Sequence, residues 1–216
     1  LLGIGGVPKS SPLVVGWMGM HGDSWVNQAI QKADLLIACG MRFDDRVTGN
    51  LKTYSPNSKK IHIEIDPAEI NKNVKVDLPI HGDLNKVLSQ VLPHLYNEDH
   101  SLWFNQINEW KEKSTGRDII HQDTETLMGA HVIRKIWEGT KGDALVVTDV
   151  GQHQMLEAQY YDHNDPRTLL TSGGLGTMGF SLPAGIGASF YEKEREVRII
   201  VGDGSFQMTM TELGTA

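Results

Sequence analysis

Cysteine is nearly absent from this chain of 216 residues. The single Cys39 excludes an internal disulfide and fits a reducing compartment. Its place at the end of the apolar run 35–39 reads as a small core residue rather than a nucleophile. No stretch of about 18 apolar residues occurs, so no segment reads as a membrane span. The amino end, Leu1-Leu2-Gly3-Ile4-Gly5-Gly6, has neither an initiator methionine nor the charged start and cleavage site of a signal peptide. Positive charge is also short: the net charge of −7 argues against a general nucleic-acid binder. No internal repeat, low-complexity run or complete Gly-x-Gly-x-x-Gly fingerprint after a strand is present.

The apolar content, 39%, is enough for one or two packed cores. The pattern is α/β, with short apolar runs alternating with helical stretches, as in parallel sheets with crossover helices. The apolar run 13–15 leads into Gly16-Trp17-Met18-Gly19-Met20-His21-Gly22. A helix is expected over 24–33, a buried strand over 34–40, an alternating strand over 60–66 and an edge strand over 74–80 weakened by Pro79. Asp83 is placed to cap an amphipathic helix over 83–95, with Leu84, Val87, Leu88, Val91 and Leu92 as its apolar face. Composition then turns polar over 96–126, interrupted by Trp103, Phe104, Ile107 and Trp110 at helical spacing. This reads as a linking helix packed against a neighbouring domain, then a loop through Ser114-Thr115-Gly116. The βα rhythm resumes near residue 127, with helices expected at 129–137, 152–160 and 182–191 and strands at 144–148, 168–170 and 196–201. The expected domains are 1–95, a linker 96–126, and 127–216. Both are Rossmann-like parallel-sheet domains, and both are expected to be incomplete.

The last strand runs into Gly202-Asp203-Gly204. This puts a carboxylate at the carboxyl rim, where open parallel sheets hold ligands, with glycines that let an anion approach the backbone. Asp203 suits a divalent ion that takes oxygen donors and substrate phosphates; it suits a helix N-cap equally well. Upstream, Ser172 to Pro183 (SGGLGTMGFSLP) and Asp149 to Met155 (DVGQHQM) precede it, and Arg42 to Gly49 (RFDDRVTG) lies further back. Together these segments resemble the acetolactate synthase (acetohydroxyacid synthase) large catalytic subunits, a family of thiamine diphosphate-dependent enzymes. The resemblance covers nearly the whole chain, and the run 42–49 is its most specific part.

The resemblance implies a central flavin-binding domain followed by a thiamine diphosphate-binding domain, with thiamine diphosphate, Mg2+ and FAD as cofactors. It implies FAD contacts at Gly19, Met20, His21, Gly40, Met41, Arg42, Asp44, Arg46 and Val47, with Glu64, Ile65, Gly82 and Asp83 on the adenosine side. On residue chemistry alone, guanidinium forks at 42 and 46 suit a pyrophosphate, but the same run also reads as a surface ion-pair cluster. By resemblance Arg46 also holds the carboxylate of a second 2-ketoacid. Gly151, Gln152 and His153 are implied at the diphosphate, Asp203 as the magnesium ligand, and Gly176, Gly202, Gly204, Ser205 and Met208 around the cofactor. Met178 is implied as the apolar wedge under the bent cofactor, though by pattern alone it is an ordinary core methionine.

The chain departs from the family pattern at Leu156, Trp17 and Asp23, where tryptophan, a smaller apolar residue and threonine are usual. A glutamate that activates the thiamine pyrimidine and an asparagine that joins Asp203 on the metal are expected outside residues 1–216. The parent enzyme is expected to decarboxylate pyruvate and condense the two-carbon unit with a second 2-ketoacid in branched-chain amino acid biosynthesis. The fragment alone is expected to be inactive. Alternatives are another flavin-carrying thiamine enzyme, of the glyoxylate carboligase or pyruvate oxidase type, or a catalytically dead nucleotide-binding module. The parent is expected to be a homodimer or homotetramer, with a regulatory small subunit among its possible partners, acting on small-molecule 2-ketoacids without nucleic acid or membrane. Its expected location is the bacterial cytoplasm or, in a eukaryote, an organelle stroma or matrix.

Overall fold

The computed structural model describes residues 2–115 and 118–216, and it divides into two compact units. One runs from Trp17 to Thr115; the other joins the stretch up to Gly16 to the stretch that follows Thr115. The expected domains differ from this division in two places: residues before 17 go with the later unit, and the polar helix after 96 goes with the earlier one. Gly116, the end of the expected loop, lies outside the described residues, while Ser114 and Thr115 are helical.

The Trp17–Thr115 unit runs α1 (Ser24–Lys32), β1 (Leu35–Cys39), α2 (Asp45–Thr48), β2 (Lys59–Glu64), β3 (Leu78–His81), α3 (Leu84–Val91), a 3-10 turn (Leu92–His94) and α4 (Ser101–Thr115). The three strands are parallel in the order β1-β2-β3, with Ile37 beside Ile61 and Ile63 beside Ile80. Strand alternation sends Leu36 and Ala38 into a core with Phe43, Tyr54 and Val74. The other face of β1 is open: Leu35, Ile37 and Cys39 are exposed, which corrects the expectation of a buried strand and a core cysteine. The cause is that β1 is an edge strand whose opposite face nothing covers among the described residues.

Asp83 caps α3 as expected, its Oδ1 accepting from the Lys86 amide at 3.0 Å. No residue of α3 is buried, and Leu88, Val91 and Leu92 are exposed. The amphipathic pattern specified the helix without specifying a cover. Within the unit, Trp103 and Trp110 of α4 meet edge to face at 5.7 Å, and Lys111 sits 5.7 Å over Trp25 of α1. Ile107 is buried where α4 packs on α1. The apolar run 13–15 forms no strand.

The other unit holds α5 (Gly129–Thr140), β4 (Ala144–Thr148), α6 (Gln152–Tyr160), β5 (Leu169–Thr171), α7 (Ser181–Tyr191), β6 (Glu196–Ile200) and α8 (Asp203–Thr209). Its strands are parallel in the order β5-β4-β6. Central β4 is covered on both faces, which is why it reads as a continuous apolar run. Ala144 and Val146 pack with Ile133 and Tyr161, while α7 lies against all three strands. The Tyr161 hydroxyl closes this core, lying 2.8 Å from Thr140 Oγ1 and accepting from the Ala144 amide at 3.2 Å.

Residues before 17 dock onto the loop after α6. The Lys9 amide donates to the His163 carbonyl at 3.1 Å, and the Ser10 amide to Asn164 Oδ1 at 3.0 Å.

Candidate active site

Both sheets carry their sequence-predicted residues at the carboxyl ends of their strands. In the β1-β2-β3 unit the rim begins at Gly40, whose amide donates to the Ile63 carbonyl at 2.9 Å. Phe43 takes a left-handed φ of 52° and turns its buried ring onto Tyr54 and His62, at 6.1 and 5.0 Å. This plug holds the polar run in place, and Asn73 Nδ2 donates to the Phe43 carbonyl at 3.1 Å. Asp44 then caps α2, accepting from the Val47 amide at 3.2 Å, and pairs with Arg42 at 3.0 Å. Arg46 pairs with Asp45 at 2.5 Å. The Arg42 and Arg46 side chains stay 53% and 67% exposed, so both guanidinium groups remain open to an anion.

The Gly19-Met20 turn meets this run directly. The Met20 amide donates to the Arg46 carbonyl at 2.7 Å, and a Cβ on Gly19 would stand 2.7 Å from that same oxygen. Only glycine fits there, with a φ of 95°. Gly82 joins the rim through its amide to the Glu64 carbonyl at 3.0 Å, next to Ile65 and the Asp83 cap. Glu64 is less available than its pattern suggested. Its Oε1 accepts from the Ile65 and Asp66 amides at 2.8 and 3.1 Å, and its Oε2 lies 3.7 Å from the buried His62. Exposed guanidinium groups and the open space at Gly40 fit a pyrophosphate; among the oxygens of Glu64, only Oε2 is left to face a ribose.

In the β5-β4-β6 unit the segments 149–153, 176–181 and 202–208 converge. A Cβ on Gly151 would stand 2.9 Å from the His153 ring and one on Gly202 3.0 Å from it, so the imidazole nests between two glycines. His153 Nε2 is buried with no hydrogen-bond partner. Burial lowers the His153 pKa, partly offset by the charge of Asp149. A neutral imidazole with an unused nitrogen beside two glycines fits a phosphate oxygen. Gln152 is exposed beside it. Gly176 passes within 3.8 Å of Val150, measured from a Cβ built on it. Met178 is 46% exposed, and its methyl lies 3.8 Å from where a Gly204 Cβ would be, while Met208 lies 3.4 Å from the same position on Gly179.

Asp203 is exposed at the first position of α8, with Ser205 buried behind it. Among the described residues no group of three acidic, histidine or cysteine side chains could hold a metal. One exposed carboxylate beside glycines fits magnesium, which keeps its waters and phosphate oxygens, and does not make an all-protein cage.

Asp149 heads the motif 149–155 in the sequence, but no role was assigned to it there. It is fully buried, and Oδ1 accepts from the Val150 and Gly179 amides at 2.9 and 3.0 Å. Oδ2 accepts from the Ser181 amide and hydroxyl, both at 3.0 Å. Burial pushes this carboxyl up, but donors from Ser181, Val150 and Ser205 outweigh it and hold the pKa below the ordinary value. A second missed pair is also buried: Glu157 Oε1 lies 2.6 Å from His163 Nε2, and His163 Nδ1 lies 2.8 Å from Thr168 Oγ1. The sequence carried little signal, because α6 shows no apolar stripe against which Glu157 stands out and its partner six positions on falls outside helical spacing.

Residues 1–91 match the thiamine pyrophosphate enzyme central domain, and residues 149–216 match the C-terminal thiamine pyrophosphate-binding domain. The chain belongs to the thiamine pyrophosphate enzymes. More particularly, it is 44% identical over 225 residues to the acetolactate synthase isozyme 3 large subunit of Escherichia coli, covering 100% of this chain and 38% of that protein. It is 45% identical to the acetolactate synthase large subunit of Lactococcus lactis, over 99% of this chain and 37% of that protein. Identity to the Corynebacterium glutamicum large subunit is 44%, over 100% of this chain and 35% of that protein. The chain therefore spans well under half the length of these relatives, all of which carry the name of an enzyme. No helix among the described residues is long and apolar enough to cross a membrane.

Proposed function

We propose that the protein to which these residues belong is an acetolactate synthase, decarboxylating pyruvate and joining the two-carbon unit to a second 2-ketoacid in branched-chain amino acid biosynthesis. The observation that carries this reading is the convergence of Gly151 to His153, Met178 and Asp203 on one sheet rim. In this reading the unit from Trp17 to Thr115 is the flavin domain, and the later unit is the thiamine diphosphate domain. Thiamine diphosphate, when bound, supplies the electron sink that lets carbon dioxide leave a 2-ketoacid. Gly151, Gln152 and His153 would hold its diphosphate. Asp203 gives Mg2+ one carboxylate, and Gly202, Gly204 and Ser205 leave space for the phosphates. Met178, with Gly176 and Met208 beside it, would supply the apolar wedge under the cofactor and exclude water there. Arg42, Arg46 and the Gly19 to His21 turn bind FAD together with Gly40, Met41, Asp44 and Val47, and Arg46 also orients the second acid's carboxylate. A regulatory small subunit accords with the large-subunit name of the relatives, and a cytoplasmic homo-oligomer is part of the same proposal.

A polypeptide of these 216 residues alone turns pyruvate over at least about 10²-fold more slowly than a full-length relative, because the resemblance places the proton partner of the thiamine pyrimidine elsewhere. Amide shifts mapped by NMR during titration with thiamine diphosphate and Mg2+ test the site without requiring turnover. The largest shifts are expected at 150–153, 176–179 and 202–206, and D203A removes their dependence on Mg2+. Shifts spread evenly over the chain, or none at saturating cofactor, would overturn the assignment.

A further inference from the structure

We propose that Asp149 is a positioning residue whose single buried carboxylate clamps together three segments of the candidate cofactor site. The inference rests on the thiamine diphosphate reading above only for its consequence to the cofactor; the clamp itself stands on contacts within the chain. Asp149 lies immediately after β4, the central strand, and its amide is anchored to the Ile200 carbonyl of β6 at 3.1 Å. From there Oδ1 takes the amide that leads into Gly151 and the amide that follows Met178, at 2.9 and 3.0 Å. Oδ2 takes both donors of Ser181, the first residue of α7, and the Ser205 hydroxyl reaches the same carboxylate from α8.

Gly179 and Ser181 lie 30 and 32 residues beyond Asp149 in sequence. The described residues connecting 172 to 180 form turns without a strand or helix, so their own ladder does not fix Gly179. A carboxylate with no solvent exposure that accepts this many donors is a strong, geometrically demanding acceptor. It sets where the backbone immediately after Met178 lies, and through Ser205 where α8 begins. Asp149 thus fixes the distance between the wedge residue and Asp203 while touching neither.

The test is D149N in the same chain, with S181A as a milder second variant. Asparagine keeps the shape but must turn an NH2 toward amides that themselves donate, so one segment is released. Amide hydrogen exchange is expected to accelerate at least about tenfold at 176–181 and 203–206, with less change in β4 to β6 and none in the unit from Trp17 to Thr115. S181A is expected to accelerate exchange at 179–182 alone. In the wild type, thiamine diphosphate with Mg2+ slows exchange at both segments together; in D149N that joint protection is expected to be lost. Unchanged exchange in D149N overturns the clamp. A uniform rise across the whole later unit overturns it too, since it marks a general loss of stability. Retained joint protection in D149N overturns the positioning role. A wild type that shows no protection by cofactor counts against the thiamine diphosphate reading, while exchange in D149N still decides the clamp.

Discussion

The two rims solve the same problem with opposite chemistry. On the rim beside β1 and β2, charge is on the outside: Arg42 with Asp44 and Arg46 with Asp45 form exposed pairs, and an aromatic plug at Phe43 holds the run from below. On the rim beside β4 and β6, charge is on the inside, where Asp149 is sealed and gathers amides and hydroxyls from three segments. The difference teaches where mutation should hurt. Exposed pairs are screened and nearly free to lose, whereas buried groups are costly to leave unpaired.

Three experiments can break or sharpen that contrast. The largest effect is expected from Y161A, which empties a fully buried site and strips the Ala144 amide of its acceptor. Chemical unfolding should show a loss of about 3–5 kcal/mol, with Y54A in the other core costing less. Equal losses would remove the asymmetry between the cores.

An intermediate effect is expected from E157Q, read as a pH dependence. Burial raises the Glu157 pKa above its ordinary value of 4.5, against the pull of His163 and Lys9. A raised folded pKa means that the stability contribution is fully present below 4.5 and declines as pH rises toward the folded value. The decline approaches about 1.4 kcal/mol per pH unit within that window. E157Q should flatten it, and an unchanged slope would show that the carboxyl ionises alike in folded and unfolded chains. The smallest effect is expected from R46A, which should move stability by no more than about 0.5 kcal/mol, measured by the same unfolding. A larger loss would mean that the exposed rim also carries structural weight.

Much of the fold was legible because it is local. Helix and strand periodicity placed the elements of the later unit within a few residues, and Asp83 announced its own helix by capping chemistry. What the sequence could not disclose depends on cover and distance. The run 35–39 looks the same whether one face or two are packed, and only the edge position of β1 exposes Cys39. The α3 stripe likewise states a helix and not its neighbour. At the candidate site, the glycines and Asp203 stood out by type and order. Asp149 did not, because an aspartate after a strand becomes a hub only when Gly179, Ser181 and Ser205 fold back to it. The Glu157 and His163 pair was hidden for another reason: its six-residue separation matches no helical spacing.

The docking of Lys9 and Ser10 onto residues 163 and 164 sets an order of events during synthesis. Ser10 is bonded to a residue 154 positions later. At about 5–20 residues per second on the ribosome, Ser10 waits on the order of ten seconds before its partner emerges. The strands of the unit from Trp17 to Thr115 find all their partners within that interval. The unit from Trp17 to Thr115 can therefore be finished before Lys9 and Ser10 meet their partners, so a stretch made earlier settles later than the unit that follows it.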